Sequence, residues 1–283
     1  FDCLVGSEMC IRDRSKSIFN LSSKILALLC CITTFSPNAY SQTRVENSAY
    51  YTKPSAVESQ KYPSSISNIA LQVTVRIFTD NSAGSGVIVG KEGNTYTVVT
   101  NHHVIENNSN KFYPIMSGDG ITHQATLIST PQIGNLDVAL LKFTSDRFYQ
   151  VVEIVKTNQP LVGETTFAAG FPNWDQTDSS QIGSTLTWGS QAFQLTVGSI
   201  EMLTSRTLRQ GYQLGYTNDI KSGMSGGPIL NSKGQLIGIN GRSKYPIAGI
   251  GAFHFIDGSR PSIEQFKKME SLSWGIPASL IRN

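Results

Sequence analysis

The sequence predicts an all-β protein in which many short strands close into sandwiches or barrels. Gly, Ser, Thr and β-branched residues are abundant, and charged residues make up only 15% of the chain. That composition suits turn-rich sheets better than a helical bundle. Short apolar runs bounded by turn residues recur at regular spacing along most of the chain, and one stretch alone carries a convincing helical period. The 283 residues suffice for one large domain or two packed halves with a real core.

The first 41 residues read as a leader rather than as fold. Phe1 to about Arg14 resemble translated adapter sequence. Arg12, Arg14, Lys16 and Lys24 then supply positive charge ahead of the apolar run Ile25 to Phe35. The small residues Ala39 and Ser41 follow, at the two positions a signal peptidase reads. This is the layout of a secretory signal, and the run is short for a membrane span. The competing reading is an uncleaved anchor. Export places the mature chain in a periplasm or outside the cell, with no membrane contact after signal cleavage. All four cysteines, Cys3, Cys10, Cys30 and Cys31, lie in this region, so the body has no internal disulfide and no cysteine-ligated metal.

Residues 42–68 are polar, with Pro54 and Pro63, and are expected to form a linker or mature N-terminal arm. From Ile69 the pattern alternates: Leu71, Val73, Val75 and Ile77 against Gln72, Thr74, Arg76 and Phe78, the period of a half-buried strand. Further strands are expected at 86–89, 96–100, 121–128, 138–143 and 151–155. A second set follows Pro160, at 165–169, 192–200, 212–216, 228–230 and 236–239. Pro261 to Met269 is the one expected helix, near the C-terminus. Ser259 or Ser262 is its cap, and Ile263, Phe266 and Met269 share a face.

Three local patterns carry the chemistry: Thr100-Asn101-His102-His103-Val104, then Asn135-Leu136-Asp137-Val138-Ala139, then Ser222-Gly223-Met224-Ser225-Gly226-Gly227-Pro228. A serine hydroxyl is a weak nucleophile until an imidazole removes its proton, and a buried carboxylate holds that imidazole in one tautomer. The developing oxyanion needs converging N–H groups, which a glycine-rich turn can aim from Gly223 and Ser225. Gly223-Met224-Ser225-Gly226-Gly227 also fits the nucleophile elbow of α/β-hydrolases. That fold needs an acid and then a histidine after the serine. No Asp or Glu lies between Ser225 and His254, so the order cannot be built.

With these motifs in this order, the chain resembles the trypsin/chymotrypsin superfamily, especially its disulfide-free bacterial branch, over roughly Ile69 to Ile281. The resemblance implies two six-stranded antiparallel β-barrels, at 69–156 and 157–283. It assigns His103, Asp137 and Ser225 as the catalytic triad of a serine endopeptidase acting on polypeptides. It implies no cofactor and no metal.

Met224 stands where trypsin-type relatives carry an Asp that pairs with a new N-terminus, so activity should not need such a terminus. Asp219, six residues before Ser225, occupies the position at the base of the primary specificity pocket, where an acid favours Lys or Arg; its alternative is a plain turn residue. Asn240 and Gly241 resemble the strand beside the substrate backbone, and 245–271 reads as an insertion beside the pocket. The net charge of +3 is spread thinly, which argues against a nucleic-acid partner. A catalytically silent binding protein on the same fold is the rival class. Oligomeric state has no sequence signal.

Overall fold

The computed structural model describes residues 64–80, 82–106, 108–128, 136–155, 160–176 and 181–281. The expected leader and most of the expected linker lie outside these residues.

The chain enters the fold as a helix, not a strand. α1 spans Ser64–Val73 and buries Ile66, Ala70 and Val73. These recur at i, i+4 and i+7, a helical stripe that shares Val73 with the strand-like alternation from Ile69. The helical alternative prevails because its stripe joins one apolar cluster with Leu230 and Leu236. The strand, β1, then occupies only Thr74–Phe78.

The first barrel continues with β2 (Ala83–Glu92) and β3 (Thr95–Thr100), a short helix α2 (His102–Ile105), β4 (Phe112–Met116), β5 (Thr122–Leu127) and β6 (Ala139–Thr144). It closes in the order β1-β2-β3-β6-β5-β4. Val75, Ile77, Ile88, Tyr96, Val98, Ile115, Leu141 and Phe143 fill its interior. The sequence reading missed β4 because Pro114 interrupts it. Only Ile115 and Met116 of β4 pair with β1, so a missing N–H at Pro114 is tolerated beyond that pairing.

Residues 151–155, expected as a strand, instead cross from one barrel to the other. Val152 N–H donates to Ile88 O (2.9 Å), and Leu236 N–H donates to Glu153 O (2.7 Å). With one partner on each barrel, the segment makes only a single bridge, Ile154 to Leu236.

The second barrel comprises β7 (Thr165–Gly170), then β10 (Gln194–Leu203), β11 (Leu214–Tyr216), β12 (Pro228–Leu230), β13 (Leu236–Arg242) and β14 (Ser273–Pro277). A hairpin of β8 (Trp174–Gln176) and β9 (Ile182–Ser184) stands outside it. The closed order is β10-β11-β14-β13-β12-β7, so the protein has two closed six-stranded antiparallel barrels, as the family resemblance implies. Every pairing in both is antiparallel, so no helical crossover is needed between paired strands.

The insertion at 245–271 folds onto the second barrel. Its helix α3 spans Ile263–Glu270 and is capped by Ser262, whose hydroxyl accepts from Gln265 N–H while the Gln265 side chain accepts from Ser262 N–H. Phe253 packs edge-on against Trp274 of β14 and Phe266 of α3, with both ring centroids at 5.9 Å. The insertion therefore covers a barrel face with its own aromatic cluster.

Candidate active site

His103 lies on the single turn of α2, immediately after β3, and Asp137 lies just before β6. Because β3 and β6 pair from Thr100↔Ala139 onward, the ladder sets the two residues side by side. Asp137 Oδ1 accepts the His103 backbone N–H at 2.8 Å, and Oδ2 lies 2.6 Å from His103 Nδ1. A carboxylate that close requires a proton on Nδ1, which leaves Nε2 of the neutral ring free to accept one. Tyr212, from the second barrel, donates its hydroxyl to Oδ2. The Asp137 backbone is pinned as well: Asn101 Nδ2 donates to its carbonyl at 2.9 Å, and its N–H donates to Gln210 O at 2.9 Å.

Asp137 is only 4% exposed. Burial pushes its carboxyl pKa up. The His103 ring, through hydrogen bond and charge, the Tyr212 hydroxyl and the His103 N–H outweigh burial and hold it below the usual carboxylate value. The same contact drives the Tyr212 phenol the other way: burial first, then the Asp137 charge, push it well above its usual value. Asp137 is therefore the ionised member of the pair and Tyr212 the neutral donor.

Ser225 sits in the turn before β12, in the second barrel. That turn is pressed flush against the first barrel at Gly226, whose φ is +83°. A Cβ there would come 2.2 Å from Ser85 O and 2.3 Å from Thr100 Oγ1, so glycine alone fits. Ser85 completes the join. Its N–H donates to Ser225 O (2.8 Å), its hydroxyl donates to Gly223 O (2.7 Å), and that hydroxyl accepts from Phe171 N–H (2.8 Å).

His103, Gly223 and Ser225 border one cleft of about 290 Å³ between the barrels, together with Ala83, Val104 and Asn173. The Ser225 hydroxyl donates to Gly241 O at 3.1 Å, not to His103. Catalytic hydrogen bonds are often unmade before substrate is bound.

The other expected residues have distinct places. Met224 is fully buried in the second barrel, in one cluster with Ala168, Tyr216 and Ile229. Asn240 is fully buried behind the turn. Its Nδ2 donates to Ala169 O (2.8 Å) and Met224 O (3.3 Å), and its Oδ1 accepts from the Tyr216 hydroxyl (2.8 Å). Asn240 thus braces the Ser225 turn from inside the barrel, and Gly241 contributes its carbonyl to the Ser225 hydroxyl. Asp219 is exposed and borders no part of the cleft. Sequence reasoning missed Tyr212, Ser85 and Asn101. Only Asn101, inside the histidine motif, had a local signal.

The model of the trypsin-like peptidase domain matches residues 84–239, which contain all three motifs. The chain belongs to this trypsin-like peptidase family. Among curated proteins, this peptidase domain is similar to the Do-like serine protease HtrA of Lactococcus lactis subsp. cremoris. The two are 32% identical over 168 residues, which is 56% of this chain and 37% of that protein. The Bacillus subtilis HtrA is 29% identical over 183 residues, 61% of this chain and 36% of that protein. The serine endoprotease DegS of Haemophilus influenzae is 29% identical over 161 residues, 56% of this chain and 41% of that protein. The chain therefore spans well under half the length of these relatives. Among solved structures, the serine endoprotease from Yersinia pestis aligns with a TM-score of 0.52 at 23% identity, covering 78% of this chain and 65% of that one. That likeness establishes the fold.

Proposed function

We propose that this chain is a serine endopeptidase that cleaves polypeptides through His103, Asp137 and Ser225. The observation that carries the reading is the double hold of Asp137 on His103, by backbone N–H and by Nδ1, beside the cleft that Ser225 borders.

In this reading the Ser225 hydroxyl turns from Gly241 O to His103 Nε2 and loses its proton as Oγ attacks the scissile carbonyl. The imidazolium formed is stabilised by ionised Asp137 and returns the proton to the leaving amine. Water then hydrolyses the acyl-enzyme with the same base. The oxyanion is received by the N–H groups of Gly223 and Ser225. A trans peptide aims its N–H opposite the preceding carbonyl, and both preceding carbonyls are tied down. Ser222 O accepts from Asn173 N–H (2.8 Å), and Met224 O accepts from Gly227 N–H (3.1 Å).

A fluorophosphonate probe tests the reading, because it labels only a serine activated in this way. Wild type is expected to take the label at Ser225. A folded wild-type protein that takes none is instead the silent binding protein.

A preference for Lys or Arg needs Asp219 to reach bound substrate, and its exposed position gives that preference no support. Asp219→Ala is therefore expected to leave the cleavage-site preference unchanged when digests of a denatured protein mixture are sequenced. A shift away from basic residues would restore Asp219 to the pocket. Export to a periplasm or beyond the cell is proposed on the charged and apolar stretches of residues 12–41.

A further inference from the structure

Arg76 lies in β1 and is fully buried, yet no carboxylate is among its partners in the described residues. Its guanidinium reaches out of the first barrel to the segment 172–185 of the second half. Nη1 donates to Thr185 O (2.9 Å), and Nη2 has Thr185 Oγ1 at 3.0 Å, Pro172 O at 3.3 Å and Asn173 Oδ1 at 3.4 Å. Phe78 and Phe171 flank the charge, 5.5 and 6.0 Å from ring centroid to Cζ. Nε is buried with no hydrogen bond. A buried, unpaired cation is costly where an apolar side chain would serve. The triad does not use it.

Its contacts lead to the oxyanion turn through one residue. Asn173 receives Arg76 on Oδ1, donates Nδ2 to Ala83 O (2.7 Å) and Ser82 Oγ (3.2 Å), and accepts Thr185 N–H on its carbonyl (3.0 Å). Held on three sides, Asn173 gives its own N–H to Ser222 O at 2.8 Å. Ser222 O and Gly223 N–H belong to one rigid peptide plane and point in opposite directions. Fixing the carbonyl therefore aims the N–H. The seat is close: a Cβ on Gly223 would lie 2.5 Å from Phe171 O and 2.6 Å from Asn173 N. Glycine at φ +98° is free to rotate this plane, so something outside the turn must hold it.

We infer that Arg76 is a positioning residue for the oxyanion donor at Gly223, acting through the fork it makes on Pro172, Asn173 and Thr185. The inference rests on the serine-peptidase reading above. The planar guanidinium suits the task because one side chain meets four acceptors in fixed geometry, which a lysine cannot do.

The test compares Arg76→Met, which keeps the bulk and removes the fork, with wild type. Three readings are taken: kcat and KM on a peptide drawn from wild-type cleavage sites, the rate of fluorophosphonate labelling, and the thermal midpoint. A lost oxyanion donor lowers kcat by about 100-fold or more. The expected result is a fall of about that size in kcat and in labelling rate, with KM within about threefold of wild type, since ground-state binding is not touched. A brace with no catalytic role would lower the midpoint and leave kcat of the folded protein intact, which overturns the inference. A rise in KM alone also overturns it. If Arg76→Met does not fold, Arg76→Lys decides by the same readings, because it keeps the stem and the charge and loses the planar fork. A wild type that takes no label overturns the underlying reading too. A labelled wild type with an equally reactive Arg76→Met overturns the positioning role alone.

Discussion

Ser225→Ala is expected to lower kcat by about a millionfold and to leave the fold as it is. The size follows from what the hydroxyl does. It is the one atom that bonds to the substrate carbon, and no neighbouring group can replace it. The small structural effect follows from what it touches at rest: a single hydrogen bond to Gly241 O at 3.1 Å, at a partly exposed position. Losing one such bond costs about 1 kcal/mol. The residue rate should remain about 10³–10⁴ above that in water, supplied by the oxyanion donors and substrate binding. Peptide turnover and a thermal melt measure the two effects. A variant retaining even a hundredth of wild-type kcat would remove Ser225 from the mechanism.

Asp137→Asn carries the second-largest expected effect, a fall in kcat of about 10⁴-fold. The amide is nearly isosteric, so His103 can stay in place. Facing Nδ1, however, the amide can present its NH2, which moves the ring proton to Nε2 and leaves no base for Ser225. Here the change is more severe than a tautomer error alone. Oδ2 also accepts the Tyr212 hydroxyl, so an amide nitrogen at that position leaves a buried phenol without an acceptor. The substitution also changes the response to acid. The Asp137 pKa is held below the 3.8 of an ordinary aspartate. Its contribution to stability is present above that ordinary value and is lost as pH falls through the lower value it has in the fold. Asp137→Asn should therefore flatten that part of the acid-denaturation curve, read by circular dichroism below about pH 4. An unchanged curve would mean the carboxylate is not stabilised in the native state.

The three motifs were legible because each is local: a few adjacent residue types that the chemistry requires, in an order the rival hydrolase fold cannot use. The all-β character was legible because the strands alternate and end in turns; closure into two six-stranded barrels followed from the family resemblance. What was hidden depends on contacts across the chain. Tyr212 is 75 residues from Asp137, and nothing in its own neighbourhood marks it as a donor. Arg76 was misleading. In the alternating run from Val73 to Phe78 it reads as a solvent-facing residue, but Pro172, Asn173 and Thr185 of the second half receive its guanidinium, and Arg76 is fully buried. Ser64–Val73 failed differently, because the strand-like alternation through Leu71 and Val73 overlapped a helical stripe, Ile66, Ala70 and Val73, that packs in one cluster with Leu230 and Leu236.

Ser85 has a consequence for how the molecule can be taken apart. It holds the half that carries His103 and Asp137 to the half that carries Ser225 by three hydrogen bonds, none of them covalent. Under the proposed mechanism, a polypeptide severed between 144 and 165 is expected to yield two fragments, each inert by itself, since His103 and Asp137 lie on one and Ser225 on the other. Mixed together, they would regain hydrolysis only as fast and as fully as they find each other, so the product signal would report reassociation directly.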